Sequence, residues 1–129
     1  MLVAANGTLV SDGSHTSWYQ NGQKELEGTS KEGKLHGLGI TWHENGQKSG
    51  EGTCKDGKKH GLFTQWHKNG QKDTEGSFKD GQLDGLWTGW GDNGQKNFEG
   101  NFKNGERVGI HRKWDENGTL IAEKDYGNM

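Results

Sequence analysis

The tryptophans Trp18, Trp42, Trp66, Trp90 and Trp114 stand 24 residues apart. A fixed period of that size marks a stacked-repeat protein, in which each unit packs chiefly on its sequence neighbours. Other positions recur in phase. Asn21-Gly22-Gln23-Lys24 returns as Asn45-Gly46-Gln47-Lys48, Asn69-Gly70-Gln71-Lys72 and Asn93-Gly94-Gln95-Lys96, then degenerates to Asn117-Gly118-Thr119-Leu120. Glu-Gly recurs at 27–28, 51–52, 75–76 and 99–100. A second turn dipeptide follows at Glu32-Gly33, Asp56-Gly57, Asp80-Gly81 and Asn104-Gly105, with one more glycine at Gly37, Gly61, Gly85 and Gly109.

Hydrophobic residues make up only 26% of the 129-residue chain, against ~45–50% (glycine included) in ordinary globular domains. A deep two-layer core is therefore not expected. Disorder is opposed by a net charge of only −2 and by large apolar residues in strict period. Twenty-four glycines with no proline fit many tight turns. Cys54 is the sole cysteine, so no internal disulfide framework exists, which is compatible with cytoplasm. No stretch approaches the ~20 apolar residues of a membrane span. Met1 to Ala5 is too short for a signal peptide. These features leave the compartment unassigned, with export through an upstream signal still open. The near-neutral balance of lysine and glutamate argues against a nucleic-acid footprint.

Asn-Gly and Asp-Gly are strong hairpin signals, because a type I′ turn needs positive φ at both central residues. Two such dipeptides lie about 12 residues apart in each unit, and the segments between them show no 3.6-residue period. The chain reads as all-β: a single curved antiparallel meander of stacked hairpin repeats. Residues 1–17 read as a clipped N-terminal capping repeat, with turns at Asn6-Gly7 and Asp12-Gly13. Residues 18–129 read as four full repeats and a partial fifth, in one continuous domain. The end, from Tyr126 to Met129, is expected to fray.

With two-residue loops throughout, Leu38, Leu62, Leu86 and Ile110 share one face with the tryptophans and with Glu27, Glu51, Glu75 and Glu99. The opposite face carries Gly28, Gly52, Gly76 and Gly100, the aromatics Phe78, Phe98 and Phe102, and the row Gly39, Phe63, Trp87 and His111. Phe63 then lies across from Gly76, and Trp87 across from Gly100. An aromatic ring can cover the bare backbone of a strand glycine.

Phe98-Glu99-Gly100-Asn101-Phe102-Lys103-Asn104-Gly105-Glu106-Arg107-Val108-Gly109 resembles the MORN repeat (membrane occupation and recognition nexus), with its aromatic-Glu-Gly-x-aromatic-Lys-Asn/Asp-Gly-x-x-x-Gly pattern. The 24-residue period with Trp-x-x-Asn-Gly-Gln-Lys is similar to the bacterial variant often labelled a YwqK-type antitoxin. The resemblance covers about residues 18 to 126. It implies a hairpin-repeat sheet used for binding, without catalysis or cofactor. The chain departs from the pattern in two ways. Gly-x-Gly survives only in Gly37-Leu38-Gly39, its second glycine giving way to Phe63, Trp87 and His111 elsewhere. The first-strand aromatic is replaced by Gly50 and Thr74 in two repeats.

Phe63, Trp87 and His111 vary where the scaffold does not, which makes them candidate partner-binding residues, with Phe78 and Phe102 widening the patch. The competing role for Phe63, Trp87 and His111 is covering glycine or contact with a second sheet, and for Phe78 and Phe102 it is packing. Trp18, Trp42, Trp66, Trp90 and Trp114, with Gly28, Gly52, Gly76 and Gly100, read as structural repeat positions. The Glu row and Lys31, Lys55, Lys79 and Lys103 read as a solvated face of weak ion pairs. His36/His60 and His43/His67 are each one repeat apart, ~9.6 Å between backbones, too far for shared metal bonds of ~2.0–2.1 Å. Cys54 reads as a small packing residue. No acid/base pair, nucleophile or phosphate loop stands out. The expected partner is a protein, with glycan or lipid as alternatives and dimerisation through a sheet edge as a further option. The antitoxin label corresponds to one case, occlusion of a toxin's surface.

Overall fold

A computed structural model describes residues 13–127. Asn6-Gly7, Asp12, Asn128 and Met129 lie outside the described residues. The eleven strands of the described chain are β1 (Gly13–Trp18), β2 (Lys24–Lys31), β3 (Lys34–Leu35), β4 (Gly37–Trp42), β5 (Lys48–Lys55), β6 (Lys58–Trp66), β7 (Lys72–Lys79), β8 (Gln82–Trp90), β9 (Lys96–Lys103), β10 (Glu106–Trp114) and β11 (Leu120–Asp125). They form one open antiparallel meander in chain order, with the short β3 pairing off β2 beside β4. Among the described residues no hydrophobic side chain is fully buried; those that are buried are the polar His15, Ser30, Thr64, Thr88 and His111. The sheet is a single layer, as the low hydrophobic content requires.

The two kinds of turn differ. At the second dipeptide both central residues have positive φ, for example Asp56 at 51° and Gly57 at 83°, and Lys55 pairs with Lys58 across them. These are the tight two-residue turns expected. At the Asn-Gly sites only the glycine has positive φ. There Trp66 pairs with Lys72 and Gln65 with Thr74, so the loop is longer and Asp73 is an extra, bulged residue. This corrects the expectation of a two-residue turn, yet beyond the bulge the register is the same: Phe63 still faces Gly76.

A second correction concerns the strand after each tight turn. Gly52 pairs with Phe63 but Cys54 with Lys59, so Thr53 alone opposes His60, Gly61 and Leu62. Gly61 carries φ 92° here, a conformation that only glycine adopts without strain. This is the physical role of the recurrent third glycine. The irregularity shifts the register by two residues, which preserves the faces but gives Phe63 and Trp87 a glycine on both flanks: Gly52 and Gly76 beside Phe63, Gly76 and Gly100 beside Trp87.

Successive repeats are stitched at both ends of the strands. In the long loops Asn21, Asn45 and Asn69 donate Nδ2–H to the carbonyls of Glu44, Lys68 and Asp92 in the next repeat, at 2.9, 2.8 and 2.6 Å. Tyr19 Oη and the Nε2 atoms of His43 and His67 donate in the same way to the carbonyls of Trp42, Trp66 and Trp90. At the tight turns Gly57, Gly81 and Gly105 donate N–H to Leu35, Lys59 and Leu83 of the preceding repeat, each at 2.9 Å. These bonds satisfy loop groups that a single layer would otherwise leave to water.

Candidate binding face

The register lines up one row across the sheet: His15, Gly28, Gly39, Gly52, Phe63, Gly76, Trp87, Gly100 and His111. Each ring leans over the glycine eleven positions before it. A Cβ added at Gly52 would overlap Phe63, one at Gly76 would overlap Trp87, and one at Gly100 would overlap His111. The cross-strand neighbours expected from sequence are present, but the glycine each ring covers is the one on the other flank.

The remaining aromatics pack edge-on against this row. Phe63 and Phe78 meet with centroids 5.2 Å apart, Phe78 and Trp87 at 6.4 Å, and Phe102 and His111 at 5.2 Å. Lys59 Nζ sits 5.3 Å from the Phe63 centroid and 4.9 Å from that of Phe78, an attraction of about 0.5–1 kcal/mol at exposed sites. Phe63 and Trp87 are half-buried, whereas His111 is only 6% exposed. His111 Nε2 donates to the Asn101 carbonyl at 2.8 Å, and its buried Nδ1 has no hydrogen-bond partner. Its ring lies within Phe98, Phe102 and Tyr126, the last 4.8 Å away. The chain does not fray at Tyr126 as expected: its N–H donates to Gly109 O, and Gly109 N–H donates to Gly127 O.

The sequence reading left His15 out of the row. It occupies the ring position one period before Gly39 and is 5% exposed; the 24-residue spacing could have found it. Gly39 is therefore a gap in a row of rings. Over Gly28 and Gly39 lies a cavity of about 250 Å³, bordered by His15, Phe63, Leu26, Leu35 and Cys54. Burial raises the Cys54 thiol above its ordinary pKa, with Lys59 opposing in part, so it is a poor nucleophile.

The other face carries the apolar row Leu38, Leu62, Leu86 and Ile110, exposed by 54, 56, 48 and 41%. The glutamates of this face pair with Lys24, Lys48, Lys72 and Lys96 at 3.0, 2.8, 2.9 and 2.7 Å. These are the lysines of the Asn-Gly-Gln-Lys motif and not the expected Lys31 row. Lys24, Lys48 and Lys72 also reach to 5.5, 5.9 and 5.6 Å from the rings of Trp42, Trp66 and Trp90. One lysine thus ties its own repeat to the next tryptophan. Glu75 is held below its ordinary pKa, first by its hydrogen bond from Lys72 and further by one from Thr64, against a rise from desolvation. No group of three or more metal-ligating side chains occurs among the described residues.

The family model of the MORN repeat variant matches residues 35–56, 59–80, 83–104 and 107–128. The chain belongs to the MORN repeat family. Each matched segment runs through one Asn-Gly loop, and the first three end on the first residue of a tight turn, so the MORN period and the hairpin period coincide. No curated protein matches the chain. A solved structure described as the crystal structure of accessory secretory protein 1, 2 and 3 in Streptococcus pneumoniae is similar at 14% identity and TM-score 0.34, over 95% of this chain and 21% of that one. The MORN chain thus spans about a fifth of that structure's length.

Proposed function

We propose that this MORN chain is a non-catalytic scaffold that binds another protein through the ring-and-glycine face, with Phe63 and Trp87 in contact with the partner. The observation that carries this reading is a single-layer sheet whose large apolar side chains are half-buried at best. A surface of that kind marks an interaction site. The ring face is favoured over the leucine face because its aromatics form edge-to-face clusters, and aromatic side chains are common anchors of protein interfaces. His111 and Phe102 support the patch by packing. Occlusion of a toxin would be one form of this activity.

A glycan needs a free, flat ring face. Phe63 and Phe78 meet edge to face with Lys59 over both rings, which counts against them as a sugar platform. An anionic membrane needs clustered cations, and the net charge is −2. The test is capture from source-cell lysate by the wild type, by Phe63→Ala/Trp87→Ala, and by Leu62→Asp/Leu86→Asp on the opposite face, with folding checked by circular dichroism. Loss of a wild-type partner in the first variant alone is the expected outcome. Loss in the second alone moves the site to the leucine face, and unchanged capture in both overturns the reading.

A further inference from the structure

We infer that the gap at Gly39 is a socket for one aromatic side chain of the protein partner, received over Gly28 where the other repeats place a ring of their own. The inference rests on the ring-face reading above and names the chemistry of what that face receives.

The neighbouring repeats show what the site accepts. Phe63, Trp87 and His111 each lie over the glycine eleven positions earlier; the glycine eleven before Gly39 is Gly28. Among the described residues, a Cβ built on Gly28 would meet nothing nearer than the Gly39 Cα at 3.9 Å, so no described side chain covers this backbone. The space above is the cavity of about 250 Å³. An apolar cavity of about 150 Å³ is enough for benzene, whereas drug-sized ligands need ~300–1,000 Å³ and burial on most sides. The size fits a single ring whose remaining contacts come from the surface that carries it. Phe63 borders the cavity, where an incoming ring can pack edge to face as Phe78 does on its other side. His15 also borders it; it is 95% buried (5% exposed), and its Nδ1 has no hydrogen-bond partner.

Filling the socket from within is sterically simple. Gly39 has no positive φ, and a Cβ there would meet only the carbonyls of Glu27 and Gly52, both at 3.9 Å. Gly39→Phe therefore supplies the missing ring as Phe63 does one repeat later, and Gly39→Ala leaves the cavity open. The experiment titrates the full-length ¹⁵N-labelled protein with N-acetyl-tryptophanamide, N-acetyl-leucinamide and methyl β-glucoside, following the amides of Gly28, Gly39 and Gly52. The expected result is saturable shifts at these amides with tryptophanamide, at least fivefold weaker binding of leucinamide, retention in Gly39→Ala and loss in a folded Gly39→Phe. No saturable shift, equal binding of leucinamide, binding of the glucoside alone, or unchanged binding in Gly39→Phe overturns the inference. So does a concentration-dependent shift of the same amides without probe, which would assign the socket to a second copy of the chain. Partner capture separates the two levels. Capture lost in Phe63→Ala/Trp87→Ala but intact in Gly39→Phe sinks the socket and leaves the ring-face reading standing. Capture intact in both sinks the reading and the socket together.

Discussion

Gly39 and Trp87 hold the same place in the repeat, two periods apart, and the sheet around them differs accordingly. Around Trp87 the glycine track is covered: the ring lies over Gly76, and Phe78 packs against it edge-on. Around Gly39 the track is bare and a cavity takes the place of the ring. The backbone ladder is the same in both regions, since Gly39 pairs with Gly52 just as Trp87 pairs with Gly100. The difference teaches that pairing in this sheet depends on the turns and bulges, while the rings decide how much of one face is closed.

The comparison breaks most severely if the covering ring is removed. Trp87→Ala is expected to lower unfolding free energy by about 2–3 kcal/mol, below the ~3–5 of a fully buried aromatic because the ring is only half-buried. Urea denaturation checks it, and a change under about 1 kcal/mol would mean the ring contributes little to stability. Gly76→Ala sharpens the same contrast from below. Its Cβ would overlap Trp87, and overpacking of this kind costs about 1–3 kcal/mol. Gly28→Ala, under the open socket, should be neutral or slightly stabilising, by up to about 1 kcal/mol through the unfolded state. Equal losses from the two substitutions would refute the idea that ring coverage distinguishes the two regions.

A smaller effect is expected in the loops, which do not differ between the regions. Asn45→Ala and Asn69→Ala should each cost about 1–2 kcal/mol, the net value of two exposed hydrogen bonds, and by similar amounts, because each asparagine donates to Lys68 O or Asp92 O of the next repeat and accepts from Gln47 N–H or Gln71 N–H in its own loop. The smallest effect concerns Glu75. Its pKa is lower when folded than when unfolded, so its contribution is present above the unfolded value and is lost as pH falls through the folded value. Glu75→Gln should therefore flatten the acid limb of the stability–pH profile below about pH 4–5 and change little at neutral pH. An unchanged acid limb would assign that dependence to other carboxylates.

Much of this molecule is legible in its sequence because a repeat converts local chemistry into global order. The period of Trp18 to Trp114, the paired turn dipeptides and the absence of a helical rhythm determine an all-β hairpin stack. The tight turns at Glu32-Gly33 and its equivalents follow from their residue types alone. So does the separation of the faces, because an even-numbered shift leaves alternation intact. What the sequence by itself could not decide depends on geometry beyond nearest neighbours in the chain. The irregularities around Gly61 and Gly85 put a second glycine beside Phe63 and Trp87, and the choice of which glycine a ring covers is a matter of side-chain lean across the sheet. The asparagine ladder exists only once loops 24 residues apart are stacked. Tyr126 follows Phe78 and Phe102 at the 24-residue spacing, but its hydrogen bond to Gly109 is a tertiary contact. Cavity volume above Gly28 and Gly39 is likewise a tertiary quantity: the sequence shows a missing ring, and the structure shows that nothing else in the described chain has moved in to fill it.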